Sequence, residues 1–200
     1  INHLVPAEHR LQDHSFYVDK IHNDIGVESA FMYSADVDGR ELSFANNIYT
    51  PDGGMHLTGF RSALTRVLND YARSNNYVKN ADDNFTGDDA REGLFSIISV
   101  KIREPQFEGQ TKARLGNPEA RTTVESVIGE SLKDFLERNS SDARKIIERC
   151  LLAAKARKAA KAAKDTVLRK GILEGLALPG KLADCSSRNP ADSELFIVEG

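Results

Sequence analysis

The stretch that most constrains this chain is residues 140–170, SSDARKIIERCLLAAKARKAAKAAKDTVLRK, which contains neither Pro nor Gly. Ala, Leu, Lys and Arg dominate it, all good helix formers, and Ser140, Ser141 and Asp142 offer side-chain oxygens to cap its first turn. The pattern predicts one unbroken helix of roughly 30 residues, about 45 Å at 1.5 Å per residue. That exceeds the width of a small domain, so the fold must project a strut. Ala153, Ala156, Ala160, Ala163 and Val167 alternate spacings of three and four, a narrow seam suited to close helix or backbone approach. Lys155, Arg157, Lys158, Lys161 and Lys164 fill the rest of the circumference. The chain's net charge is −3, yet this run holds ten Lys/Arg against three Asp/Glu, leaving −10 for the remainder. The asymmetry marks a local basic surface on an acidic protein. On these residues alone it reads first as a solvated strut.

Ahead of the strut, residues 14–21 and 25–34 alternate apolar and polar side chains around an Asn23-Asp24 turn, the signature of paired strands. A Gly-bearing turn at 35–40 leads to a third strand over 41–49, and the three read as an antiparallel meander. Residues 50–54 (TPDGG) break the chain. A helix follows over 57–75, with Leu57, Phe60, Leu64, Val67, Leu68 and Tyr71 on one face. Residues 75–87 are polar and turn-rich, and one helical turn capped by Asp88 comes next. The run 94–102 (LFSIISVKI) reads as a strand buried on both faces. Thr122 or Thr123 caps a helix reaching residue 138. Residues 175–188 form a Pro/Gly-punctuated connector, and 194–198 a last strand. The expected class is α+β: a mostly antiparallel, four-stranded sheet with helices on one face, followed by the long helix.

Little here makes a self-contained active site. His3, His9, His14, His22 and His56 are scattered and read as surface or packing residues. Cys150 and Cys185 have no metal-ligand spacing and fit a reducing, cytoplasmic setting. No apolar run approaches the ~20 residues a membrane helix needs. The chemically suggestive stretch is 104–117, EPQFEGQTKARLGN. A strand ends at Pro105, and a Gly-punctuated loop then presents Gln110, Thr111 and Lys112 together. An amide donor beside a flexible point charge suits a phosphate oxygen, although the same composition serves a solvated hairpin tip.

The wider context favours the phosphate. GDDAREGLFSIISVKIREPQFEGQTK (87–112), LPGKLADCSSR (178–188) and ELFIVEG (194–200) resemble, in fixed order, the B subunits of bacterial type IIA DNA topoisomerases. The run ARLGNPEAR (113–121) is closer to the gyrase branch, since topoisomerase IV, the alternative, more often carries a Leu-Ser-Ser-Arg-like run there. The resemblance covers nearly the whole chain. It implies a transducer fold, like the second domain of a ribosomal small-subunit protein, with a left-handed βαβ crossover. Residues 1–12 would be the tail of an upstream GHKL ATPase domain, 13–172 the transducer with its helix directed toward the DNA gate, and 173–200 a linker and the first TOPRIM strand. It further implies an ATP-hydrolysing isomerase when the protein is whole, the isolated fragment being inactive. Gln110 and Lys112 would contact the ATP γ-phosphate, with Lys112 catalytic. Arg61 of the GFR tripeptide and Lys181 would contact duplex DNA, and Glu199 would ligate Mg²⁺ in a site completed elsewhere. The implied partners are duplex DNA, the gyrase A protein in an A2B2 assembly, and a second copy of gyrase B on ATP binding, with no membrane. A reading from another class is a stand-alone basic nucleic-acid-binding module built on residues 140–170.

Overall fold

The computed structural model describes residues 1, 3–36, 38–80, 83–175 and 191, with side chains of the last helix followed to residue 167. The chain forms two compact units, Ile1–Ala156 and Arg157–Gly200. The first contains β1 (Phe16–His22), β2 (Ile25–Tyr33), β3 (Arg40–Ala45), β4 (Ile48–Tyr49), α1 (Met55–Ser74) and α2 (Gly87–Arg91). It continues with β5 (Leu94–Lys101), β6 (Phe107–Glu108), β7 (Arg114–Leu115) and α3 (Pro118–Arg138). The start of α4 (Ser140–Gly175) completes it.

The α+β class holds, and the strand order is β1-β2-β5-β3-β4. The meander expected from the sequence does not form. β5 lies between β2 and β3, antiparallel to the first and parallel to the second. The apolar β5 takes the centre of the sheet, whereas β3 opens on Arg40 and Glu41 and sits nearer the edge, where charges stay solvated. The expected third strand is also divided. Asn46 and Asn47 both adopt positive φ (49° and 65°), a two-residue turn that separates β3 from β4 and gives the sheet its fifth strand. Leu94, Ser96, Ile98 and Val100 of β5 are buried while Phe95, Ile97 and Ser99 are half-buried, so the strand has one covered face rather than two.

The core forms where that covered face meets α1 and α3. Phe16 stacks on Phe31 with ring centroids 4.7 Å apart, and Phe60 from α1 and Phe135 from α3 meet the pair edge-on. Leu64 and Leu68 of α1 and Val124, Ile128 and Leu132 of α3 are wholly buried beside them. Truncating one such aromatic to Ala costs about 3–5 kcal/mol. At Gly59 the helices approach so closely that a Cβ would lie 2.5 Å from the Arg121 carbonyl oxygen, tighter than side chains tolerate.

Two helix starts differ from expectation. Thr86, not Asp88, caps α2: its hydroxyl accepts from the Asp89 amide (3.2 Å), and the Asp89 carboxylate accepts from the Thr86 amide (2.8 Å). α3 starts at Pro118, ahead of Thr122 and Thr123, because proline's fixed φ suits the first helical position and needs no amide partner there.

A single residue, Asn139, separates α4 from α3, and α4 is anchored by polar contacts of Asp142 and Arg149. The Asp142 carboxylate accepts from the amides of Asp13 (2.9 Å) and His14 (3.1 Å) and bonds the His14 imidazole (2.9 Å). It therefore ties down the N-terminal segment instead of capping its own helix. Arg149 donates to the carbonyls of Ala35 (3.0 Å) and Asp36 (2.8 Å). Val5, Leu11 and Gln12 pack on this unit: Val5 is fully buried, Leu11 donates to the Tyr33 carbonyl, and Gln12 accepts from the Tyr33 amide. Burial pushes the Cys150 thiol up to about 12, which leaves it unreactive.

In the second unit the described part is the continuation of α4 and Ala191. α4 is unbroken over its 36 residues, about 54 Å. Its small-residue seam is buried at Ala153, whereas Ala156, Ala160, Ala163 and Val167 are exposed. The connector at 175–188 beyond its first residue, the strand at 194–198 and Cys185 lie outside the described residues. No helix among the described residues is long and apolar enough to cross a membrane.

Candidate functional site: a rooted hairpin with a cationic tip

β6 and β7 pair antiparallel, Phe107 opposite Leu115 and Glu108 opposite Arg114, and make a small hairpin separate from the main sheet. Residues 109–113 form its tip. Gly109 turns the chain at φ 76°, with nothing within 4 Å of where a Cβ would stand. Gln110, Thr111 and Lys112 follow, all exposed. Lys112 itself adopts φ 54°, a left-handed conformation that costs a residue with a Cβ roughly 1 kcal/mol or more. Its ammonium stands 5.9 Å from the centroid of the Phe107 ring, within reach of a weak cation–π attraction. A strained lysine held in solvent is a common mark of a ligand-facing loop.

The root is as buried as the tip is open. Leu115 and Asn117 are both almost fully buried. The Asn117 side-chain carbonyl accepts from the Gln106 amide (2.6 Å), and its NH₂ donates to the Glu104 carbonyl (3.1 Å) and the Glu119 carboxylate (2.6 Å). The Gly116 amide adds a bond to the Gln106 carbonyl at 2.7 Å. On the other side, the Asp52 amide donates to Ala113 (3.0 Å) and the Leu115 amide to Gly53 (3.1 Å). The hairpin is thus joined to the turn that starts α1 and to the residue that precedes α3.

His56, in the first turn of α1, is fully buried, and burial lowers its pKa to about 4. A neutral, enclosed imidazole bonded only weakly to Thr50 (3.4 Å) is a packing residue, as its isolation in the sequence suggests. Arg61 lies farther along α1. It does not face solvent alone: its guanidinium is bound to Glu41 of β3, Nε at 3.0 Å and Nη2 at 2.5 Å from the same oxygen. The arginine side chain remains 42% exposed.

The structure therefore brings Gln110 and Lys112 together on one tip and places Arg61 on the helix whose start that hairpin grips. Lys181 and Glu199 lie outside the described residues. Asn117 and Glu41 were missed by sequence reasoning. An Asn directly before a helix-starting Pro carries a legible signal; Glu41 carries none, because its pairing depends on β3 lying beside α1.

Solved structures with this fold define the class first. The ATPase domain of Thermus thermophilus gyrase B, solved with an aminocoumarin, superposes with a TM-score of 0.75 at 40% identity, covering 82% of this chain and 44% of that one. A topoisomerase IV ATP-binding domain from Francisella tularensis gives 0.66 at 29% identity, covering 78% and 41%. The fold matches part of the ATPase regions of bacterial gyrase B and topoisomerase IV. The sequence profile of DNA gyrase B matches residues 1–166, and the chain belongs to that family. It is 52% identical over 200 residues to the DNA gyrase B protein of Bacillus mycoides, covering 100% of this chain and 50% of the relative. With the DNA gyrase B protein of Streptococcus pneumoniae TIGR4 it shares 53% over 188 residues, 94% of this chain and 29% of the relative. The chain thus spans half or less of the length of these relatives.

Proposed function

We propose that this chain is the transducer segment of a DNA gyrase B protein. It couples ATP binding and hydrolysis to closure of a protein clamp and passage of duplex DNA through a double-strand break, the basis of negative supercoiling. The observation that carries this reading is Lys112, exposed in a strained backbone at the tip of a hairpin whose root is buried.

The donors fit a terminal phosphate. Gln110 offers an amide and Lys112 a positive charge, both in solvent and reachable by a neighbouring ATP-binding domain. Lys112 neutralises charge that grows on the transferred phosphoryl oxygens, which favours the transition state over the ground state. Loss of that phosphate removes the attraction that holds the tip. Since the root is bonded to the start of α1 and to Asn117 ahead of α3, displacement passes to two helices rather than dissipating in a loop. Arg61 supplies a guanidinium that attracts DNA phosphates without reading sequence. In this reading residues 1–12 carry the connection from a GHKL ATPase domain, 13–172 are the transducer, and 173–200 lead into TOPRIM. Lys181 would then touch DNA, and Glu199 would help hold Mg²⁺, which would supply electrostatic stabilisation for strand cleavage. The gyrase A protein, a second copy of gyrase B and duplex DNA are the partners, in the cytoplasm.

Lys112→Ala in the full-length protein tests the reading: ATP turnover and supercoiling are lost while thermal unfolding is unchanged. Wild-type turnover in that variant contradicts it. The exposed Lys155, Lys161 and Lys164 of α4 favour a second reading, a stand-alone nucleic-acid-binding module. That reading requires tight duplex binding by the 200-residue chain with a steep salt dependence. The transducer reading requires weak binding at physiological salt.

A further inference from the structure

We infer that Asn117 is a positioning residue for Lys112, setting the angle at which the hairpin presents its tip. This rests on the phosphate-sensing role of Lys112 given above. Three features separate Asn117 from an ordinary helix cap. Although it occupies the N-cap position of α3, its side chain makes no capping bond to that helix's amides. Its amide instead reaches back from the outgoing chain to the incoming one, accepting from Gln106 and donating to Glu104. Its second N–H is held by Glu119, in the first turn of α3.

All three bonds converge on a side chain only 1% exposed. The incoming chain at 104–106, the outgoing chain at 117 and the first turn of α3 are therefore fixed to one planar group. A planar amide with three partners has no rotational freedom left, so the hairpin cannot swing on α3 without breaking one of them. The tip lies only five residues from this anchor, and a small tilt at the root displaces Lys112 directly. Misplacement of a reacting group by ~1 Å is enough to cost up to about 100-fold in rate.

The test is a double-mutant cycle in the full-length protein, read as single-turnover ATP cleavage so that slow variants stay measurable. Asn117→Asp keeps the shape and the acceptor for Gln106 but loses both donors. It is expected to lower the rate constant about 10-fold or more while changing the KM for ATP by less than about 3-fold, because Lys112 acts on the developing charge. Combined with Lys112→Ala, it is expected to be no slower than Lys112→Ala alone. Additive losses, or wild-type turnover by folded Asn117→Asp, overturn the inference. If Asn117→Asp does not fold, Glu119→Ala decides. It removes one exposed partner of Asn117, and a loss of about 2- to 5-fold, absent in the Lys112→Ala background, is expected; no loss, or the same loss in that background, overturns the inference. A Lys112→Ala protein with wild-type turnover defeats the phosphate-sensing role itself, whereas a crippled Lys112→Ala beside a fully active Asn117→Asp defeats the Asn117 inference alone.

Discussion

The Leu115 amide donates to the Gly53 carbonyl across 3.1 Å, which makes the hairpin root and the turn before α1 one piece of bonded backbone. The adjoining Gly54 completes a parallel bridge with Leu115 at φ 136°, where any Cβ would collide with the Leu115 backbone. Gly54→Ala is therefore expected to destabilise the chain by about 3 kcal/mol or more, combining backbone strain with loss of the bridge. Urea denaturation measures it, and a cost under about 1 kcal/mol contradicts this account of the joint.

Glu41 occupies the guanidinium of Arg61, Nε and Nη2 both donating to one carboxylate oxygen, and so competes with any DNA phosphate for it. Glu41→Ala is expected to tighten duplex binding by the full-length protein several-fold at low salt and to leave stability within about 1 kcal/mol, since the arginine stays partly solvated. Arg61→Ala is expected to weaken binding and reduce the salt slope by about one unit. Identical binding isotherms for all three proteins would remove Arg61 from the DNA path.

His56 gives a pH signature. Burial lowers its pKa from 6.5 to about 4, so between these values the unfolded chain binds a proton that the folded chain refuses. Stability consequently falls as pH drops from 6.5 to 4, by up to about 1.4 kcal/mol per unit and about 3 kcal/mol in total. Replacing His56 by Gln should remove this slope. Denaturation curves at about pH 7, 5.5 and 4.5 show whether it does; equal slopes in both proteins contradict the buried neutral imidazole.

Asp142 also loses its contribution in acid, from a different cause. Burial works to raise its pKa, but bonds from the Asp13 amide and the His14 ring and amide outweigh burial and hold it below 3.8. Its contribution is present above the ordinary carboxyl range and lost as pH falls through the lowered value. Asp142→Asn is expected to cost about 2 kcal/mol near pH 7 and progressively less below about pH 4. A gap that stays constant from about pH 7 to pH 3 rules out this charge-assisted anchor.

Local pattern and long-range pairing contributed differently to what could be read from sequence. The stripe of Leu57 to Tyr71 and the breaker-free run after Ser140 are periodic signals, and both helices formed near their expected bounds. The Asn46-Asn47 turn carried a local signal that was overlooked. The insertion of β5 between β2 and β3 carried none, because strand order is decided by contacts between segments 55 to 75 residues apart. The same division applies to the site. Gln110 and Lys112 came from a motif, whereas the Arg61–Glu41 pair needed α1 to be placed against β3. Asn117 directly precedes the Pro that starts α3, but its turn toward Glu104 and Gln106 depends on the folded hairpin.

Hydrogen exchange at residues 109–113 of the full-length protein, compared between a non-hydrolysable ATP analogue and ADP, tests the coupling most directly. The account predicts slowed exchange at the tip, and at Asp52, Gln106 and Leu115 beneath it, with the γ-phosphate present and not with ADP. Equal exchange with both nucleotides would mean that the tip does not sense the terminal phosphate.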